Sequence, residues 1–305
     1  MRLFLFSIYL LLVSAIAQPQ PKINQQADFS ILNNRETAYR FQTLYFDSAD
    51  GKRHYRVYVG IPKTTPPPSG FPVLYALDGN AVLAELTTPR LKALAAGKKP
   101  ILVLIGYNTE LRLNSAARAY DYTPPDENGM EYADAIQPNR RNGGAAAFLT
   151  LLRMQIQPSV VKLANINLHE QTLWGHSYGG LFVLYTLLNK PMMFQHYVAA
   201  DPSLWVRKGL MLKQWQNGQY PILADQTTLV LLKSGRANAP AVNTAAQALY
   251  QAVKAVPENS TEQLANKWAN TPHLQVHYQV YPNQNHGSLF AYAFEAALNR
   301  FTAKH

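Results

Sequence analysis

Cysteine is absent from all 305 residues. The chain therefore has no disulfide to staple a small core, no thiol nucleophile and no thiolate metal site, so apolar burial has to stabilise the fold. Charged residues are also scarce, at 15% against 48% hydrophobic, which argues against global disorder and supplies side chains for a sizeable core. Acidic residues are the scarcer sign: 18 Asp and Glu against 28 Lys and Arg leave a formal charge of +10. That surplus favours anionic partners. It comes without any run of five or more basic residues, and "GKK" (97–99) and "NRRN" (139–142) read as solvated loop charge, so no nucleic-acid partner is expected.

Long hydrophobic runs are missing too, except at the N-terminus. "MRLFLFSIYLLLVSAIAQPQ" combines Arg2, an apolar run from Leu3 to about Val13, and Ala15 and Ala17 in the A-x-A spacing of a signal-peptide cleavage site. The run is shorter than the roughly 20 residues a bilayer crossing needs. The expectation is a signal peptide over residues 1–17 and a single exported domain over 18–305, periplasmic or secreted and without stable membrane insertion.

Beyond the leader, "FQTLYFDSADGKRHYRVYVGIP" (41–62) predicts an antiparallel hairpin around the turn residues 48–52. Short apolar runs follow at 71–79, 99–108, 171–177, 196–205, 227–235 and 274–282, separated by helix-compatible stretches such as 143–161 and 239–257. That alternation predicts an α/β fold with a mainly parallel sheet covered on both faces. Residues 108–142 depart from it: they are polar and without a clear period, a functional or a disordered stretch, and their tyrosines and arginines favour a pocket-covering loop over disorder.

The chemistry concentrates in "QTLWGHSYGGLFVLYTLL" (171–188). Gly175-His176-Ser177-Tyr178-Gly179 satisfies G-x-S-x-G between a strand and a helix, a strained turn expected to need glycine on both sides because a side chain there would clash, with the serine Oγ at a helix N-terminus. Ser177 is thus the candidate nucleophile. A serine hydroxyl needs a positioned base, and His286, in "YPNQNHGSLF" after the last predicted strand, occupies the place in chain order where this fold supplies one. His176 is expected to point away from Oγ and to pack or hydrogen-bond; His196, His273 and His277 read as structural.

An acid to orient the histidine should follow the strand at 227–235, but the chain runs Arg236 to Pro240 with no carboxylate before Glu258. A Ser–His pair without an acid is therefore the first expectation. Asn238 is available as a neutral orienting residue, and Asp201, in "AADPSLW", as an acid from an alternative strand tip. For the oxyanion, the N–H of Tyr178 and that of Gly79 or Asn80, in "LDGNAV", are the candidate donors, with Asp78 holding that turn.

With these residues in hand, the chain resembles the esterase family of the α/β-hydrolase fold, and within it the exported siderophore esterases that open the trilactone of enterobactin and salmochelin. The resemblance lies in "VLYALDGNAV" (73–82), "RAYDYTPP" (118–125), "GGAAAFLTLL" (143–152), "GHSYGGLFVLYTLL" (175–188), "DPSLW" (201–205) and "NHGSLF" (285–290). It implies Ser177 as nucleophile, His286 as general base and acid, Arg118 lining the pocket against substrate, and a Ser–His mechanism in the periplasmic members. Asp201 departs from relatives that carry serine before "PSLW". An anionic ferric catecholate would suit a basic protein with Arg118 and several tyrosines. No metal or organic cofactor is implied. A general carboxylesterase of aryl or acyl esters, and a non-catalytic binding protein on a hydrolase scaffold, are the alternatives.

Overall fold

In β3 (Phe71–Leu77) and β4 (Ile101–Tyr107) every residue is buried, as a strand covered on both faces requires. The computed structural model describes residues 25–218, 220–235 and 244–302; the leader at 1–17 and Asn238 lie outside the described residues. The remaining strands are β1 (Tyr39–Asp47), β2 (His54–Pro62), β5 (Tyr132–Ala133), β6 (Arg141–Asn142), β7 (Ile166–His176), β8 (His196–Ala200), β9 (Thr227–Ser234) and β10 (Leu274–Tyr281). Of the ten strands among the described residues, eight form one sheet in the order β1-β2-β4-β3-β7-β8-β9-β10, and β5 pairs with β6 apart from it. The expected hairpin is present, paired from Tyr39 with Pro62 to Asp47 with His54, and β2 meets β4 antiparallel. The remaining pairings in that sheet are parallel.

The helices are α1 (Gly79–Val82), α2 (Thr88–Ala96), α3 (Ser115–Asp121), α4 (Ala145–Leu151), α5 (Gln157–Val161), α6 (Tyr178–Asn189), α7 (Leu210–Gln216), α8 (Thr244–Lys254), α9 (Ser260–Trp268) and α10 (Leu289–Asn299). Alternate side chains of β3 divide between two cores: Val73, Tyr75 and Leu77 join Phe148 of α4 and Phe182 of α6, while Leu74 and Ala76 join Leu94 of α2 and Phe294 of α10. Helices therefore cover both faces of a mainly parallel α/β sheet, as the sequence pattern implied. Among the described residues no helix is long and apolar enough to cross a membrane.

Two local features differ from the sequence expectation. The helix expected at 143–161 is broken by a π-turn over Leu152–Ile156, just before Pro158, which has no N–H to continue the helical ladder. Residues 108–142, expected to be a loop, contain α3 and the β5–β6 ribbon. Their order comes from side-chain hydrogen bonds that leave no hydrophobic period: Asn114 accepts from the backbone N–H of Ala117, and Asp134 accepts from the backbone N–H groups of Ile136 and Gln137 and from the side chain of Asn142 through Nδ2.

Three neighbouring strand tips converge where the site lies. The residue after β3, β7 and β8 is in each case a non-glycine with positive φ: Asp78 at 57°, Ser177 at 62° and Asp201 at 43°. Such strain persists only where surrounding contacts enforce it, and it clusters at functional sites.

Candidate active site

Ser177 stands between the end of β7 and the first residue of α6, with φ 62° and ψ −118°. Its N–H donates to the Ala200 carbonyl at 2.9 Å, and its own carbonyl accepts from Leu181 at 3.0 Å and Ser203 at 3.1 Å, so the backbone is fixed on both sides. The glycine requirement is asymmetric, which corrects the expectation of glycines needed on both sides. A Cβ at Gly175 would lie 2.4 Å from the Gly179 carbonyl oxygen, whereas one at Gly179 would make ordinary contact with Leu77 at 3.5 Å. The second crowded position is Gly180, where a Cβ would stand 2.9 Å from the Ala200 oxygen.

His286 lies in the turn between β10 and α10, which is closed by reciprocal bonds: Ser288 N–H donates to Asn285 Oδ1 at 2.9 Å and Asn285 N–H to Ser288 Oγ at 3.0 Å. Its Nε2 is 3.0 Å from Ser177 Oγ, and its Nδ1 is 2.8 Å from Asp201 Oδ2. With Nδ1–H donating to the carboxylate, Nε2 is left free to accept the serine proton. His176 packs beside it as expected, ring centroids 4.7 Å apart, and its Nε2–H donates to the His286 carbonyl at 2.8 Å. Burial, reinforced by the neighbouring His286, pushes His176 well below the ordinary histidine range and keeps it neutral.

Asp201 stands within hydrogen-bond reach of His286, where the first expectation was a Ser–His pair without an acid. The carboxylate comes from the tip of β8, one strand before the place where it was first sought. Lys233 Nζ donates to Oδ1 at 2.8 Å, and Ser234 Oγ donates to Oδ2 at 2.5 Å. Burial alone would raise the Asp201 pKa, but the hydrogen bonds and positive charge of His286 and Lys233 outweigh it and hold the carboxyl well below the usual range.

Tyr178 is the first residue of α6 and Gly79 the first of α1, positions whose N–H groups have no partner within their own helix. Gly79 packs tightly on β4: a Cβ there would be 2.6 Å from the Leu104 carbonyl carbon. Asn80 is buried, its amide donating to the carbonyls of Tyr107, Thr109 and Leu111 at 3.0–3.1 Å, which ties this turn to the chain leaving β4. Arg118 holds Asp78 from two sides, Nε to Oδ1 and Nη2 to Oδ2 at 2.8 Å each, and Nη2 also reaches the His176 carbonyl at 3.4 Å. The pair braces the β3 turn against the elbow. Burial would lower the Arg118 pKa, yet the charge and hydrogen bonds of Asp78 raise it above the ordinary arginine value.

Three further groups were not anticipated. Ser203 Oγ is 3.2 Å from Ser177 Oγ. Arg140 pairs with Asp134 at 2.9 Å and reaches the Tyr178 hydroxyl at 3.3 Å. Lys233 and Ser234 embrace Asp201. Ser203 had a signal in "DPSLW"; the Arg140–Asp134 pair is local to the 108–142 segment, while the contacts of Arg140 with Tyr178 and of Lys233 and Ser234 with Asp201 join segments more than thirty residues apart and leave no local pattern.

The chain is similar in sequence and fold to known esterases. An apo-salmochelin esterase of Escherichia coli O6:H1 is 43% identical over 175 residues, 57% of this chain and 55% of that protein. The chain spans about half the length of the curated relatives it matches, from 44% to 60%. Among solved structures, the enterobactin and salmochelin hydrolase IroE superposes with a TM-score of 0.66 at 32% identity, covering 88% of this chain and 96% of that one. A complex of IroE with DFP gives 0.66 at 33% identity, covering 87% and 96%. The overall fold is thus of the α/β-hydrolase type. The family described as "Putative esterase" matches residues 48–301, and the chain belongs to that family.

Proposed function

We propose that this protein is a serine carboxylic ester hydrolase acting through Ser177, His286 and Asp201. The observation that carries the proposal is the placement of His286 between the other two, 3.0 Å from Ser177 Oγ and 2.8 Å from Asp201 Oδ2. Ser177 Oγ attacks the ester carbonyl while His286 Nε2 takes its proton. The N–H of Tyr178 and that of Gly79 or Asn80 receive the oxyanion, where fixed donors stabilise developing charge. His286 then protonates the departing alkoxide, leaving an acyl-serine, and water activated by the same imidazole releases the acid. Asp201 remains ionised, holds the tautomer and stabilises the imidazolium in both half-reactions. The steps use protein groups and water.

The substrate proposed is the trilactone or ester bond of a catecholate siderophore. The names of the relatives support it, as does the side-chain chemistry beside the nucleophile. Tyr178 lies 5.6 Å from the Trp205 ring, with the Arg118 and Arg140 guanidiniums 5.4 and 5.8 Å from its own ring centroid. Both guanidiniums are already paired with carboxylates, Arg118 with Asp78 and Arg140 with Asp134, so the side chain beside the nucleophile left to meet a planar aromatic ligand is the half-buried Trp205, and the net charge of +10 would draw an anionic one in. The β5–β6 segment, bearing Arg140, is proposed as the cover of this pocket. Export after cleavage of the leader fits a substrate met outside the cytoplasm.

The test is kcat/KM for a catecholate trilactone, iron-free and iron-loaded, against short nitrophenyl esters, with Ser177→Ala as control. A preference of at least about 100-fold for the trilactone, equivalent to some 2.7 kcal/mol of differential transition-state binding, is expected. Equal values would point to a general carboxylesterase, and turnover by Ser177→Ala would refute the mechanism.

A further inference from the structure

Asp201 is bound by a full positive charge. The last paired residues of β8 and β9 are Ala200 and Leu232, so the next residues, Asp201 and Lys233, stand side by side past the end of the ladder. Asp201 N–H donates to the Leu232 carbonyl at 2.7 Å, which locks that alignment. The carboxylate then divides its oxygens: Oδ1 takes Lys233 Nζ at 2.8 Å, while Oδ2 takes Ser234 Oγ and His286 Nδ1 at 2.5 and 2.8 Å. A neutral hydroxyl already holds Oδ2 in place. The ammonium therefore adds something a hydroxyl does not, a positive charge one carboxylate away from the imidazole.

We propose that Lys233 is a positioning residue that sets the working pH range of His286, by offsetting part of the negative charge with which Asp201 favours the imidazolium. This rests on the assignment of Asp201, His286 and Ser177 above. An unopposed carboxylate at 2.8 Å from Nδ1 would hold a proton on the imidazole toward neutral pH, where the charged ring cannot act as base. Lys233 on the opposite oxygen cancels part of that attraction, and Asp201 still fixes the tautomer. The other groups facing the histidine come from different elements. Ser177 and the tilted His176 ring touch it; further out, Arg118 reaches the His176 carbonyl, and Glu258 and Tyr278 line the cleft onto which Lys233 and Ser234 open. Lys233 is 28% exposed on that side, so water screens its charge in part.

The experiment is an NMR titration of the His286 ring in the full chain and in Lys233→Met and Lys233→Arg, followed by pH profiles of kcat/KM. Loss of the charge is expected to raise the titration midpoint and the acidic limb by ~0.5–1 pH unit, from a unit charge a few ångströms off in a partly hydrated setting. Lys233→Arg should hold both within about 0.2 unit, since it keeps the charge. Lys233→Gln replaces the methionine variant if the latter does not fold. A midpoint that stays put or falls in a folded charge-free variant overturns the proposal, even if activity drops at every pH. The NMR midpoint needs no turnover, so an enzyme inactive on all esters tried would count against the esterase assignment and leave the Lys233 result readable.

Discussion

The elbow at 175–180 and the acid support at 201 and 233–234 are neighbours in space and are built on opposite principles. In the elbow, backbone meets backbone. Gly175 and Gly180 allow approaches that any Cβ would block, and Ser177 is forced to φ 62° by packing. In the acid support the residue is also left-handed, φ 43°, but polar side chains from the adjacent strand enforce it. Crowding of backbone can be satisfied by one residue type, and it writes itself into the sequence as G-x-S-x-G. A polar cradle can be met by many residue pairs on another strand, and it leaves no spacing to detect.

If this contrast is right, chemical edits should be worst at the acid and steric edits worst at the elbow. The largest effect is expected for Asp201→Asn, which keeps the shape and removes the charge. Steady-state kinetics should show kcat lower by about 10²–10⁴-fold, toward the loss known when a triad carboxylate becomes an amide. A Ser–His pair working without an acid would lose less than tenfold. The same variant should flatten the dependence of thermal stability on pH in acid. The Asp201 carboxyl is depressed in the fold by His286 and Lys233 against the opposing effect of burial. Its stabilisation is therefore complete above the unfolded value of about 3.9 and lost as pH falls below it. Calorimetry from pH 6 down to 3 should find a shallower decline in the variant.

Next comes Gly175→Ala, expected to destabilise by about 1–3 kcal/mol in denaturant unfolding, as forced overpacking does. Gly179→Ala, with ordinary contacts at 3.5 Å, should stay within about 1 kcal/mol of the parent, helped by better helix propensity. Equal costs for the two would erase the asymmetry of the elbow. Asn80→Ala, which leaves three carbonyls short of a donor, should cost about 1–3 kcal/mol and lower kcat more than it raises KM. Smallest is Ser203→Ala: its hydroxyl is 3.2 Å from Ser177 Oγ but not between it and the base, so kcat/KM should fall less than about tenfold, under 1.4 kcal/mol.

Legibility followed the same divide. The parallel strands and the hairpin were visible because fully buried strands are continuously apolar and the hairpin has its turn residues between two β-rich runs. Ser177 and His286 were visible as candidates because each sits at the junction between a strand and a helix. Asp201 was noticed as an acid at a strand tip, yet its rank against an acid-free pair could not be read, because that depended on how Lys233 and Ser234 align with it across β8 and β9. The order within 108–142 was illegible for a related reason: Asp134 and Asn114 organise it through side-chain bonds to nearby N–H groups, and such bonds carry no hydrophobic period.

The most direct test of the central claim is labelling of the purified protein by a fluorophosphonate, located by peptide mass spectrometry and timed alongside Ser177→Ala, His286→Ala and Asp201→Asn. The account predicts a single adduct on Ser177, absent in Ser177→Ala and formed far more slowly when His286 or Asp201 is changed. Unlabelled Ser177, or labelling at the same rate without His286, would contradict it.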